Sequence, residues 1–278
     1  MTKTNIAKMI NYIGIIFLIL LIFMSLLAPW IAPADPLKVD MQNRLQKPSS
    51  EHWMGTDTMG RDVLSRIIYG GRTSMILAVA ASAGTMIIGL FFGTIGGYFG
   101  GWLDELIQVF VKIFQSLPTL SFMLAIAGVL GPGFKSILIA TLIVSWADFS
   151  RVVRSEILKL REESFVEGIR ALGASHWYII SKHVIPNIIG PFMVLFTAQI
   201  GRTIIAIASL SYLGLGLQPP DPDWGVMIFD AKTHIRTSPY LMFFPGLFII
   251  GFCFSVNLFG DAIRDYFDTS ERNYEQFL

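Results

Sequence analysis

In a chain of 278 residues, 53% hydrophobic and only 15% charged residues leave too little polar surface for a water-soluble globule, whose charged share is about 25%. A formal net charge of +1 supplies neither the basic field that attracts nucleic acid nor an acidic one that attracts cationic partners. The single cysteine, Cys253, has no internal disulfide partner and lies in an apolar run, where it is read as a packing residue.

A hydrocarbon core of about 30 Å is crossed by about 20 apolar residues of helix, because in lipid each backbone polar group must be satisfied within its own segment. Six stretches meet that test, at residues 9–31, 74–99, 106–130, 134–149, 188–213 and 240–260. The chain is therefore expected to be an all-α, polytopic membrane protein. The first stretch follows Lys3 and Lys8 as a secretory signal would, yet its apolar run exceeds the usual ~7–15 residues, so an uncleaved anchor is expected.

The stretch at 33–72 contains EHWMGTDTMGRDVLSRIIYGGR. Gly55, Asp57, Gly60 and Asp62 are turn formers, and Asp62 can cap a short helix with Val63, Leu64, Ile67 and Ile68 on its apolar face. This predicts an amphipathic helix lying flat on the outer surface. Arg61, four residues after Asp57, is placed for a local ion pair.

Span two carries Gly89, Gly93, Gly97 and Gly101 at every fourth position. That spacing lets helix backbones approach closely, so this face is expected to pack on a neighbouring helix, of this chain or of another. Pro118 is expected to kink span three, and Trp102, Trp177 and Trp224 to anchor at the interfaces. Span four, the shortest, can extend through Arg151 into the headgroup layer.

The stretch at 151–187 contains REESFVEGIRALGASHWYIISKHVIPN. Phe165, Ile169 and Leu172 fall at i, i+4 and i+7, one apolar stripe of a helix. Gly173 stands where a helix ends in a left-handed residue, Ser175 can cap a second helix, and Pro186 is expected to stop it. An amphipathic pair of this kind either lies on lipid or docks in a partner's groove. Basic residues are densest here, which by the positive-inside rule favours a cytoplasmic N-terminus and C-terminus.

Span five holds Arg202 beside Gln199 and Thr203. An arginine facing lipid at mid-membrane costs at least about 2.5 kcal/mol, so it is expected to face a pore, a water pocket or an acidic partner. Two readings stay open: Arg202, Gln199 and Thr203 line a solute path, or Arg202 makes a buried ion pair with another chain. The residues 213–222, LGLGLQPPDP, read as a close-packed helix end followed by a stiff extended segment.

Three other classes lack their signatures. His52, His176, His183 and His234 do not form a metal-ligand constellation, so no metal site is expected. No nucleophile elbow or paired His/Glu motif marks an enzyme, and no G-x-x-x-x-G-K-[ST] phosphate loop is present. A secondary transporter, the more distant alternative, would show internal repeats and broken helices around midplane polar residues.

The second hydrophilic stretch resembles the EAA loop of bacterial ABC importer permeases, with Glu167, Gly173, Ile185 and Pro186 at the motif's positions and Gly168 and Ile169 replacing its alanines. HWMGTDTMGRDVLSRIIYGGR, LSYLGLGLQPPDPDWGVM and GDAIRDYFD are similar to the second permease subunit of the subfamily importing dipeptides, oligopeptides and nickel. Gln108 and Lys112 depart from that pattern, standing where an Arg and an Asp are frequent, as does Thr269. The resemblance implies a type I ABC importer permease fold in the bacterial cytoplasmic membrane, with residues 1–72 an anchor plus outer loop and 73–278 the permease core. It implies a second homologous permease, two ATPase subunits that bind ATP and Mg, and an extracytoplasmic binding protein, with no cofactor in this chain. Phe165, Glu167, Ile169, Leu172, Gly173 and Pro186 would then receive ATPase motion. The cargo implied is a dipeptide or oligopeptide, with nickel or a metal chelate as the alternative.

Overall fold

A computed structural model describes residues 3–275, the side chains of 3–8, 266 and 268–275 excepted. Among the described residues all regular structure is helical, apart from one isolated bridge between Thr56 and Asp62. In chain order the α-helices are α1 (Lys3–Leu26), α2 (Ala28–Ile31), α3 (Val63–Phe99), α4 (Gly101–Ser116), α5 (Thr119–Leu130), α6 (Phe134–Arg161), α7 (Ser164–Ala171), α8 (His176–Ile179), α9 (Ile185–Tyr212), α10 (Trp224–Ala231) and α11 (Tyr240–Glu275). A π-turn, Ile180–Val184, joins α8 to α9.

Five helical runs are long and apolar enough to cross a membrane, and α4 with α5 makes a sixth only as a pair bent by 91°. Pro118, expected to kink span three, breaks it outright: it offers no N–H to a preceding carbonyl and stands as the N-cap of α5.

The flat surface helix expected after Asp62 does not form. Asp62 does cap a helix, accepting from the Ser65 N–H at 2.8 Å, but that helix is α3, which runs on without interruption to Phe99. The reason lies in the apolar face itself. Val63 and Ile67 are fully buried in the same cluster as Trp224 and Met227, and the Trp224 indole N–H donates to the Ile67 carbonyl at 2.9 Å. Trp224, expected at an interface, is thus a core residue, while Trp102 and Trp177 remain exposed. The boundary expected at 72/73 falls within α3, so the outer stretch and the bundle share one helix.

Span four also exceeds its expected length, running to Arg161. Its added turns pack on the glycine stripe of α3. A Cβ at Gly89 would lie 2.3 Å from Phe149 Cβ, one at Gly93 2.6 Å from the Ser150 carbonyl, and one at Gly97 3.0 Å from the Arg154 carbonyl. The glycines' neighbour is therefore α6 of this same chain. Gly101 leaves the stripe: α3 ends at Phe99, Gly101 has φ +59°, and open space surrounds it.

The bundle has two ends. At one, the loop at 32–62 is tied down by Tyr240, whose hydroxyl donates to the Gln46 and Thr56 carbonyls at 2.8 and 3.0 Å. At the other lie the end of α3, the start of α4 and the α7–α8 elbow, and there Arg161, the last residue of α6, donates to the Tyr98 carbonyl of α3 at 3.3 Å.

Candidate functional site: the elbow, the loop lock and a polar seam

The elbow begins with α7. Gly173 adopts φ +84°, its N–H bonds the Arg170 carbonyl at 3.0 Å and the Ala174 N–H bonds the Ile169 carbonyl at 3.4 Å. This pair of bonds satisfies the last carbonyls of a helix when the residue after the cap is left-handed, which glycine does at low cost. Ser175 then accepts from the Tyr178 N–H at 3.3 Å and starts α8. Pro186 does not stop that second helix. The π-turn before it widens the backbone, so the ring sits in the first turn of α9 without meeting a preceding carbonyl, and α8 continues through the turn into span five.

Of the apolar stripe, Leu172 is 89% and Phe165 40% exposed, whereas Ile169 is half-buried against the core. Glu167 is exposed. The residue that seats α7 is Val166, fully buried with Tyr98, Ile157 and Ile179. Tyr98 was not singled out by sequence, yet it ties the elbow to α3. Its hydroxyl shares a hydrogen bond with His176 Nδ1 at 3.2 Å, and the Arg170 guanidinium stands 5.9 Å from its ring centroid. The elbow thus presents an exposed apolar tip on a base fixed to two spans.

The opposite end is locked by buried charge. Arg61 Nε donates to Asp57 Oδ2 at 2.7 Å, the ion pair expected from spacing, and the same carboxylate oxygen lies 3.4 Å from Arg66 Nε. Asp230 stands 3.9 Å from Arg61, and burial raises its carboxyl pKa against the pull of Arg66 and Arg61. Asp223, fully enclosed, accepts from the Ser74 hydroxyl at 2.7 Å and from the Gly225 and Val226 N–H groups at 2.9 and 3.1 Å. Burial pushes its pKa up too, opposed by those three donors. Turn-forming residues were legible here; Asp223 and Asp230 were not, because their partners, Ser74 and Arg61, lie about 150 or more residues away in the chain.

In the middle of the bundle Gln199, Arg202 and Thr203, at i, i+3 and i+4, share one side of α9; Arg202, at the edge of that side, is exposed while Gln199 and Thr203 are buried. Thr203 accepts from the Ser82 hydroxyl at 3.0 Å, fastening α9 to α3. The polar seam that sequence reasoning missed runs between α4 and α6. Arg154 Nε and Nη2 donate to the two Asp104 carboxylate oxygens, each at 2.5 Å, an ion pair at the start of span three despite Gln108 and Lys112. Further along, Gln115 donates to Asp148 at 2.8 Å and accepts from Arg151 at 3.4 Å.

Residues 85–272 match the family described as binding-protein-dependent transport system inner membrane component, and residues 9–48 match the N-terminal TM domain of oligopeptide transport permease C. The chain is 38% identical over 256 residues to a dipeptide transport system permease protein of Alkalihalophilus pseudofirmus, covering 92% of this chain and 84% of the relative. It is 39% identical over 254 residues to the glutathione transport system permease protein of Escherichia coli, covering 91% and 84%. Among solved structures, a chain of the MetNI methionine ABC transporter in its inward-facing form aligns with TM-score 0.61 at 16% identity, over 72% of this chain and 95% of that one.

Proposed function

Because the chain belongs to the family of binding-protein-dependent transport system inner membrane components, we propose that it is a pore-forming permease subunit of an ATP-driven importer whose cargo is a dipeptide or oligopeptide. The observation that carries the cargo is similarity along nine-tenths of the chain to relatives named for dipeptide and glutathione transport. The chain contains no phosphate-binding loop of the Walker type, so ATP and Mg belong to two partner ATPase subunits. A second permease completes the pore and an extracytoplasmic binding protein delivers the cargo. Residues 1–72 serve as anchor, outer loop and the first turns of α3, and 73–278 as the core, with both termini and the elbow cytoplasmic.

The elbow's construction supports a mechanical role. Leu172 and Phe165 offer an apolar tip to a groove on the ATPase, with Glu167 as a charged contact beside it. Val166 and the Tyr98–His176 bond couple α7 and α8 to α3, and the π-turn with Pro186 couples α8 to α9. A displacement of the tip is thereby delivered to spans two and five together, because packed elements move as units between discrete arrangements. Arg202, exposed on α9, is assigned to the solute path or to the second permease's face. Transport of radiolabelled dipeptide into vesicles by the reconstituted importer tests the cargo. ATP-dependent accumulation is expected, and its absence while ATPase activity is stimulated by a differently loaded binding protein would contradict it.

A further inference from the structure

The break in span three opens a notch of about 380 Å³ lined by Gln115, Thr119, Asp148 and Arg151, with Phe114 and Val144 behind them. Three observations make it more than a gap. First, its depth: at about 1.5 Å of rise per residue, Asp148 lies about 21 Å along α6 from Phe134, within the length of a hydrocarbon layer of about 30 Å, and Arg151 stands about one turn further on, toward the headgroup layer. Second, its charge: both side chains are exposed, and among the described residues neither has an opposite charge within 4.0 Å, Gln115 alone bridging them. A carboxylate at the depth of Asp148 is expensive against lipid, so the pair faces water or cargo. Third, the backbone: α4 ends at Ser116, next to Gln115 in the lining, and α5 starts with no side-chain cap at Thr119, which lines the notch too. The positive end of one half-helix and the negative end of the other therefore meet at the same place.

Resting on the importer reading above, we propose that this notch is a station on the translocation path that holds the two charged ends of a zwitterionic peptide. Asp148 and the carbonyl end of α4 receive the peptide ammonium. Arg151 and the N–H end of α5 receive its carboxylate. Gln115, bonded to both side chains, keeps them apart and solvates them until cargo arrives.

The test uses the complete importer in nanodiscs, with Cys253→Ser and Thr119→Cys giving this chain one thiol at the notch and with the other chains free of reactive cysteine. The rate of maleimide labelling at position 119 is measured against concentration of the dipeptide Ala-Phe, its N-acetyl form and its C-terminal amide. Free Ala-Phe is expected to protect best. Asp148→Asn should weaken that protection about tenfold and abolish the difference between free and acetylated forms, the loss expected for one charge-assisted hydrogen bond. Arg151→Gln should do the same for the free and amidated forms. Equal protection by all three peptides overturns the proposal, and this comparison needs only the unsubstituted Asp148 and Arg151. Variants that lose ATPase stimulation by the loaded binding protein as well as protection would place the two residues at a permease–permease contact instead. An importer that accumulates no peptide at all overturns the peptide reading and this assignment with it, whereas accumulation without protection at 119 overturns the notch alone.

Discussion

Gly93 sits where no side chain fits, its Cβ position 2.6 Å from the Ser150 carbonyl oxygen and 2.7 Å from Val153 Cβ. Gly93→Val should cost about 1–3 kcal/mol through forced separation of α3 and α6, read as a lower unfolding temperature in detergent. Gly128→Ala, in a helix with open space around it, should be neutral or gain up to about 1 kcal/mol from helix propensity. Tyr98→Phe removes only the bond to His176, and about 0.5–1.5 kcal/mol of elbow stability, visible as faster local hydrogen exchange in α8. The glycine stripe was legible because a four-residue period has few other uses in an apolar run. Gly101 continues the four-residue period past the helix end, where Gly100 and Gly101 both take positive φ and leave the stripe. Gln199, Arg202 and Thr203 share one side of α9 by their i, i+3 and i+4 spacing, but which of them the bundle buries was not legible in the sequence.

Among the helices, the elbow was the most legible piece, since Gly173 and Ser175 each carry a local conformational instruction. What sequence could not supply was the continuity of α8 with α9, because Pro186 alone argues for a stop and the π-turn that accommodates it has no composition of its own. The same holds at Asp62: the cap was readable, but whether α3 lies on a surface or enters the bundle depends on Trp224, more than 150 residues away. Glu167→Lys and Gly173→Asp should leave the protein inserted and assembled but abolish cargo-driven ATPase stimulation. Normal stimulation in both would remove the elbow from the coupling path. Val166→Asp, which buries a charge under α7, should instead release the elbow from the core, cutting stimulation while increasing protease sensitivity between residues 162 and 175.

The molecule as a whole joins a tightly locked end, where buried aspartates and arginines hold the loop at 32–62 over the bundle, to an end whose elbow offers its largest side chains outward. That asymmetry suits a subunit driven from one side and gated toward the other. Fold class and span number were carried by hydropathy alone; the 91° break in span three and the polar seam beside it were not, since Gln115 and Asp148 are separated by 33 residues. Introducing Leu172→Cys in a Cys253→Ser background and applying a short bifunctional thiol reagent to membranes addresses the division of labour directly. A crosslink from position 172 to a co-purifying nucleotide-binding chain is expected, with its yield changing when ATP is bound. Reaction of that thiol only with a lipid-dissolved probe, in a preparation to which no ATPase chain is attached, would contradict it.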